Sequence, residues 1–245
     1  MNLNDIALVT GARGGIGRAL VARLRSRGLR IAAVGRDMAS LFDVPAEAHI
    51  AADTTTPEGA AAAFEACREQ LGAAPSWLAH AVGNTFIAPL HRSPVEQVRE
   101  VLRINLESSL WTLQAWIASL NGAPGAAVFA SSVVARIGVA NHEAIASAKG
   151  GVEALVRGAA ATYASQGLRI NAVAPGLTET PLTMGILKQP AMRDGAAKQY
   201  PLGGVQTADE VAAVMDWLLS PDAARITGQI LAVDGGFTSV RPLVR

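Results

Sequence analysis

Apolar residues along the chain fall into two alternating rhythms. Seven short runs are strand candidates, several of them apolar on both alternating faces: "IALVTG" (6–11), "RIAAVG" (30–35), "AHIAAD" (48–53), "SWLAHAVG" (76–83), "AAVFASS" (126–132), "LRINAVAPG" (168–176) and "QILAVDGG" (229–236). Such runs predict strands buried on both sides, as in a parallel sheet covered by helices. Between them, helical periodicity predicts helices near 15–27, 57–71, 94–120, 143–166 and 207–219. The βαβαβ alternation predicts an α/β fold, a single doubly wound domain over residues 1–245. The rhythm breaks once, at 177–206, a stretch rich in Pro and Gly and poor in strand pattern. A long excursion after a strand's C-terminal end predicts a lid over a site.

Composition narrows the function classes. The formal net charge is +1 and the arginines are scattered, so no nucleic-acid partner is expected. No uninterrupted apolar run reaches the roughly 18–20 residues needed to span a bilayer. The N-terminal "MNLNDIALVTG" enters a strand at once, without the charged region or cleavage site of a signal peptide. Cys67 is the only cysteine, which excludes an intrachain disulfide and points to a reducing, cytoplasmic setting. Its Ala-rich helical context predicts a buried, inert thiol. The four histidines and one cysteine show no zinc-type spacing, so no metal site is expected.

Chemistry enters at "TGARGGIG" (Thr10–Gly17), between the first strand and the first helix. Gly11, Gly15 and Gly17 allow a tight turn and close backbone approach, and the helix N-terminus offers free N–H groups to a pyrophosphate. Arg13 and Ile16 lie in the same loop. An acidic residue at the tip of the second strand would hold the ribose hydroxyls of NAD. Gly35 stands there instead, followed by Arg36, and two guanidiniums near the ribose 2′ position favour a phosphate. NADP(H) is therefore expected over NAD(H); the alternative is that both arginines are solvated and that Asp37 blunts Arg36. Asp53, ending the third strand, suits an adenine amino group or a helix entry with "TTTPE".

In order along the chain, "TGARGGIG", Asp53, "HAVG" (80–83, with Gly83), "INLES" around Asn105, "ASS" (130–132), Lys149, "NAVAPG" (171–176) and "VDGG" (233–236) resemble the short-chain dehydrogenase/reductases. The resemblance implies a Rossmann-like sheet of order 3-2-1-4-5-6-7, a nicotinamide cofactor, a small-molecule substrate and a homodimer or homotetramer built on the long helices. It also implies roles. Asn105, Ser132 and Lys149 match three members of the family's Asn-Ser-Tyr-Lys active site. Pro175, Gly176 and Thr178 match the segment beside the nicotinamide, and Thr180 a position near the carboxamide and phosphates.

Two positions depart from the pattern. His80 stands where the family usually has Asn, and at a strand end it suits a hydrogen bond across the sheet. Ile145 stands where the proton-donating Tyr belongs, thirteen residues after Ser132 and four before Lys149. Isoleucine does no acid–base work, and that help is typically worth ~10²–10⁴-fold. His142 lies three residues before Ile145 and seven before Lys149, a spacing that puts all three on one helical face. A histidine there can pass a proton. A branch of the family that includes enoyl reductases places its tyrosine seven residues before the lysine; alternatively, His142 points to water from a loop before the helix. Tyr163 is expected to be packing, and Tyr200, in the presumed lid, is a candidate to reach the substrate. Two functions stay open. One is an NADP-dependent oxidoreductase acting on C=O/CH–OH or an activated C=C with an altered proton-transfer site. The other is a non-catalytic, cofactor-binding relative serving as sensor or partner subunit.

Overall fold

Ile6–Thr10 forms the central strand β1 because all five residues are buried and none offers a polar face. The computed structural model describes residues 5–241, so residues 1–4 and 242–245 of the expected domain lie outside the described residues. Chain order then gives β2 (Arg30–Gly35), β3 (Ala48–Ala51), β4 (Trp77–His80), β5 (Gly125–Ala130), β6 (Leu168–Pro175), two-residue β7 (Thr178–Glu179) and β8 (Gln206–Thr207), and β9 (Ile230–Val233). The large sheet is wholly parallel, in the order β3-β2-β1-β4-β5-β6-β9. With its strands counted alone, this is the expected order. The order reverses between β1 and β4, and ligands of such sheets bind in the crevice at that switch point.

The period of two divides the core. Ile6, Leu8, Ala32 and Val34 face one side, under α2 (Pro57–Leu71), α4 (Ser108–Leu120) and α5 (Glu143–Tyr163). Ala7, Val9, Ile31 and Ala33 face the other, under α1 (Gly15–Ser26) and α8 (Ala208–Leu219). Trp116 is fully buried, and its indole N–H donates to the Pro75 carbonyl at 2.9 Å, so the large apolar ring leaves no polar atom unpaired. Cys67 is buried in α2, and burial pushes its thiol up to about 12. Among the described residues no helix is long and apolar enough to cross a membrane.

The structure departs from the sequence pattern in two places that matter for the site. The expected helix at 94–120 is α3 (Val95–Leu102) joined to α4 through a π-helical turn, Arg103–Glu107. Side chains satisfy the carbonyls that the wider turn displaces. Asn105 Nδ2 donates to Val101 O at 2.9 Å, Ser108 Oγ to Ile104 O at 2.5 Å and Ser109 Oγ to Asn105 O at 3.1 Å. Residues 95–120 hold no Gly or Pro, so nothing in their periodicity marks the break. The excursion at 177–206 is also more ordered than its composition implies. It folds as α6 (Met184–Leu187) and α7 (Pro190–Ala197), and the β7·β8 pair closes its base.

Candidate active site

The loop after β1 is shaped by backbone contacts that only glycine permits. Gly11 has φ +67°, and a Cβ there would lie 2.7 Å from the Ala81 carbonyl oxygen. A Cβ on Gly17 would lie 2.3 Å from Gly11 O. Gly14 caps α1 with no side-chain hydrogen bond, and the first turn holds no acidic residue. The positive end of α1 is thus left uncompensated, as an anion site requires. Thr180 closes on this loop from the far side: a Cβ on Gly15 would meet its Cγ2 at 2.8 Å. Ile16 is half-buried against the core beneath α1.

A cleft of about 210 Å³ runs from Gly11, Arg13 and Gly14 past Gly35 and Arg36 to Asp53 on one side and Gly83 and Asn84 on the other. Thr56, not Asp53, caps α2, accepting from the Gly59 N–H at 3.0 Å. Asp53 accepts instead from the N–H (3.1 Å) and hydroxyl (2.7 Å) of Thr55. Both bonds fall on Oδ1, which leaves Oδ2 without a protein donor among the described residues. Burial raises the Asp53 pKa. The Thr55 bonds and the charges of Arg103 and Arg36 outweigh it, and hold the carboxyl below its usual range. Asp37 does not pair with Arg36; its carboxylate accepts the Ser40 N–H at 2.8 Å. The glycine cradle, the open helix end and the polar cleft beside them fit a dinucleotide.

At the other end of the cleft, the chain brings Gly83, Asn84, Asn105 and Lys149 together. Asn105 Nδ2 donates to Asn84 Oδ1 at 2.6 Å, and Asn84 N donates back to Asn105 Oδ1 at 3.3 Å. A Cβ on Gly83 would lie a tight 3.0 Å from Asn105 Oδ1 and in ordinary contact, 3.5 Å, with Lys149 Nζ, so the loop after β4 runs close against both side chains. Lys149 is buried; its ammonium donates to Ala130 O at 2.8 Å, and desolvation pushes its pKa down to about 8. Ser132, two residues beyond Ala130, opens a short 3₁₀ turn, and among the described residues its Oγ meets only the Val134 N–H, at 3.4 Å. Asn84 is a partner the sequence pattern did not reveal, because only the tertiary approach of the π turn makes it one. Pro175 ends β6. Gly176 sits where a Cβ would be 2.7 Å from the ring of Tyr200, and Thr178 Oγ1 donates to Gly176 O at 2.9 Å.

Ile145 is buried with Val101, Ala144 and Ala148, and Phe86, Val98, Leu102, Leu106 and Val134 pack around them. His142 corrects the helical-face expectation. It is the N-cap of α5, with non-helical φ −108° and ψ 16°, so the spacing rule that links Ile145 to Lys149 does not orient its side chain. Its Nδ1 lies 2.7 Å from the Ala140 carbonyl. A carbonyl only accepts, so Nδ1 carries the hydrogen and Nε2 is the nitrogen left for other partners. Tyr200 is likewise corrected. It is buried, and its hydroxyl accepts the Leu177 N–H at 2.6 Å, so it braces the segment after β6 instead of standing free in a lid. Tyr163 packs against the core, as expected.

His80 bridges across the sheet. Its Nδ1 is 2.8 Å from Thr10 Oγ1 on the neighbouring strand, and its Nε2 is 3.0 Å from Ser108 Oγ. The Ser108 hydroxyl is already donated to Ile104 O, so Nε2 donates and Nδ1 accepts, a neutral ring that links β1, β4 and the π turn. Burial first, and then the Lys149 charge, push its pKa down to about 3. Between about 3 and the ordinary 6.5 the unfolded chain binds a proton that folded His80 refuses, so this residue lowers stability as pH falls through that window. Replacing it removes the effect: His80→Asn should lose less stability than the parent between pH 7 and pH 4 in urea unfolding. An equal loss in both proteins would place the acid sensitivity elsewhere.

A family profile described as enoyl-(acyl carrier protein) reductase matches residues 11–238. The chain belongs to the short-chain dehydrogenase/reductase family. Among its relatives in this family are a cis-4-hydroxycyclohexanecarboxylate dehydrogenase from Sinomonas cyclohexanicum, 36% identical over 96% of this chain and 97% of that protein, and a 2-(R)-hydroxypropyl-CoM dehydrogenase from Xanthobacter autotrophicus, 32% identical over 97% and 100%. The ligand-free aldohexose dehydrogenase of Thermoplasma acidophilum superposes with a TM-score of 0.88 at 26% identity, over 99% of this chain and 98% of the other. Full-length likeness to named dehydrogenases makes this short-chain dehydrogenase/reductase an oxidoreductase, and dehydrogenases of the family use NAD(P) cofactors.

Proposed function

We propose that this chain is an NADP(H)-dependent oxidoreductase for a C=O/CH–OH pair or an activated C=C, with proton transfer that does not pass through a phenol. The observation that carries this reading is the juxtaposition of Lys149 with the Asn84–Asn105 pair at the end of the cleft that starts at the glycine loop. When bound, the nicotinamide supplies the hydride. Gly11, Gly15, Ile16 and Gly17 bind its phosphates through backbone N–H groups, and Pro175, Gly176, Thr178 and Thr180 border the reactive end. The Ser132 hydroxyl is available to orient a substrate oxygen, and Lys149 stabilises negative charge growing on that oxygen. For the proton itself the candidates are His142 Nε2, at the mouth of α5, and water ordered beside Ser132 and Lys149.

The preference for NADP(H) is supported by Gly35 at the strand tip, by exposed Arg13 and Arg36 on the cleft wall, and by the engagement of Asp37 with Ser40 instead of Arg36. Arg36→Ala should weaken NADPH binding about tenfold or more and leave NADH nearly unchanged, since a charge-assisted hydrogen bond contributes ~1.5–3 kcal/mol. Fluorescence titration of both cofactors reads this directly. Equal losses for the two would remove the 2′-phosphate role.

The substrate is read as small to medium and largely apolar. Leu182, Met184 and Met192 are exposed on the 177–206 segment while Leu187 packs it down, and two relatives are named for hydroxylated compounds. Cyclic and short-chain secondary alcohols, with and without a carboxylate, form the first panel, followed by the corresponding ketones and enoyl thioesters. Cofactor binding without turnover of any of these would leave the chain as a sensor or partner subunit, the reading that buried Ile145 favours. A homodimer or homotetramer through the long helices is the assembly expected in sedimentation.

A further inference from the structure

The reaction as read above gives no part to Glu153, a buried carboxylate on α5 one turn beyond Lys149. Its side chain is only 8% exposed, yet it is tied to the loop that carries Ser132 at both ends. At the near end Ser131 Oγ donates to Glu153 Oε1 at 3.1 Å, while Ser131 N is held by Val173 O of β6 at 2.8 Å. At the far end Arg136, which closes the 3₁₀ turn Val133–Ala135, donates from Nε to the same Oε1 at 3.0 Å. Arg157, four residues on along α5, faces Oε2 at 3.6 Å and adds a second positive charge. The carboxylate accepts from both loop donors at one oxygen, and its negative charge, facing two guanidiniums, strengthens that grip beyond what a neutral amide oxygen would supply.

Ser132 sits between those two anchors. Its own hydroxyl is held by nothing firmer than the 3.4 Å contact with Val134 N. The same helix that fixes Glu153 also carries Lys149, whose ammonium reaches Ala130 O immediately before Ser131. We propose that Glu153, acting through Ser131 and Arg136, is a positioning residue that sets where the Ser132 hydroxyl stands relative to Lys149. This rests on the oxidoreductase reading above. The carboxylate touches no substrate; it locks the loop to α5, so that Ser132 and Lys149 form one rigid unit when the substrate oxygen arrives.

The test uses Glu153→Gln and, at the half-buried edge of the cluster, Arg136→Gln and Arg136→Lys, each in the parent and in a Ser132→Ala background. A misplacement of about 1 Å at a reacting group can cost on the order of 10²-fold. In the parent, Glu153→Gln and Arg136→Gln should lower kcat roughly 10- to 100-fold at unchanged NADPH Kd, and Arg136→Lys should recover part of the loss. In the Ser132→Ala background the same changes should cost little, because the group they position is gone. Equal losses in both backgrounds, unchanged kcat in the parent, or a parallel loss of NADPH affinity would overturn the proposal. Hydrogen exchange reads the same clamp without turnover: amides 134–137 should exchange faster in Arg136→Gln while those of α5 stay protected. Unchanged exchange at 134–137 overturns the clamp even if no substrate is found, and faster exchange in an enzyme that turns nothing over supports the clamp while removing the oxidoreductase reading.

Discussion

Ile145→Tyr should raise carbonyl reduction by ~10²–10⁴-fold, the usual worth of a positioned general acid. Position 145 lies in the first turn of α5, one helical turn before Lys149, so a phenol there comes within the influence of the ammonium. The nearby positive charge lowers the phenol's pKa and makes it a better match for neutral pH. The gain comes with a structural penalty. Ile145 is enclosed by Val101, Ala144 and Ala148, and a larger ring must displace them, at a cost of about 1–3 kcal/mol. Steady-state rates with NADPH, alongside thermal unfolding, measure both terms. A folded Ile145→Tyr protein with no rate gain would mean that the rest of the site is not arranged for carbonyl reduction. His142→Ala adds a second discrimination. If His142 delivers the proton in the parent, its removal should slow the parent and leave Ile145→Tyr nearly untouched; equal effects in the two would exclude it from proton transfer.

Lys149→Met should abolish turnover and make the free protein more stable at pH 7. Lys149 is a buried ammonium with one hydrogen bond, to Ala130 O, and no carboxylate partner among the described residues. Its folded pKa of about 8 lies below the ordinary 10.5. Between those values the unfolded chain binds more protons than the folded one, so stability rises with pH through that window. Below pH 8 both states are protonated and the folded state carries the full desolvation penalty, roughly 3 kcal/mol from the pKa difference. Methionine has nearly the same length and no charge to desolvate. The variant should therefore unfold at higher denaturant than the parent at pH 7, and its stability should no longer climb between pH 8 and 10.5. A less stable variant would show that the Ala130 bond outweighs the desolvation. Stability given up at one residue in return for chemistry is a common trade at active sites.

Much of this site is legible along the chain because its parts are local. Gly11, Gly15 and Gly17 belong to one turn whose shape their lack of Cβ allows, and Arg36 follows the strand tip in sequence as in space. The spacing of Ile145 and Lys149 is a property of one helix. The expectations that had to be corrected are those where a neighbour distant in sequence decides. His142 is a local exception: as the N-cap, bonded to Ala140 two residues before it, it stands just outside the helical dihedrals that begin at Glu143. Tyr200 sits in a stretch that looks like lid, yet it is buried and its hydroxyl accepts the Leu177 N–H from 23 residues away.

From its sequence alone, this protein had to be a parallel, doubly wound sheet with a phosphate loop at its first turn and no phenol before its lysine. Those features follow from periods of 2 and 3.6 and from single residue types, which act over a turn or a strand. Only the tertiary structure decided that the helix through Asn105 opens into a π turn, that Asn84 meets it there, that His80 is neutral between Thr10 and Ser108, and that Glu153 ties the Ser132 loop to the lysine helix. Each of these joins residues from different elements, and the energy that holds them comes from desolvation and from hydrogen bonds formed only once the layers have packed.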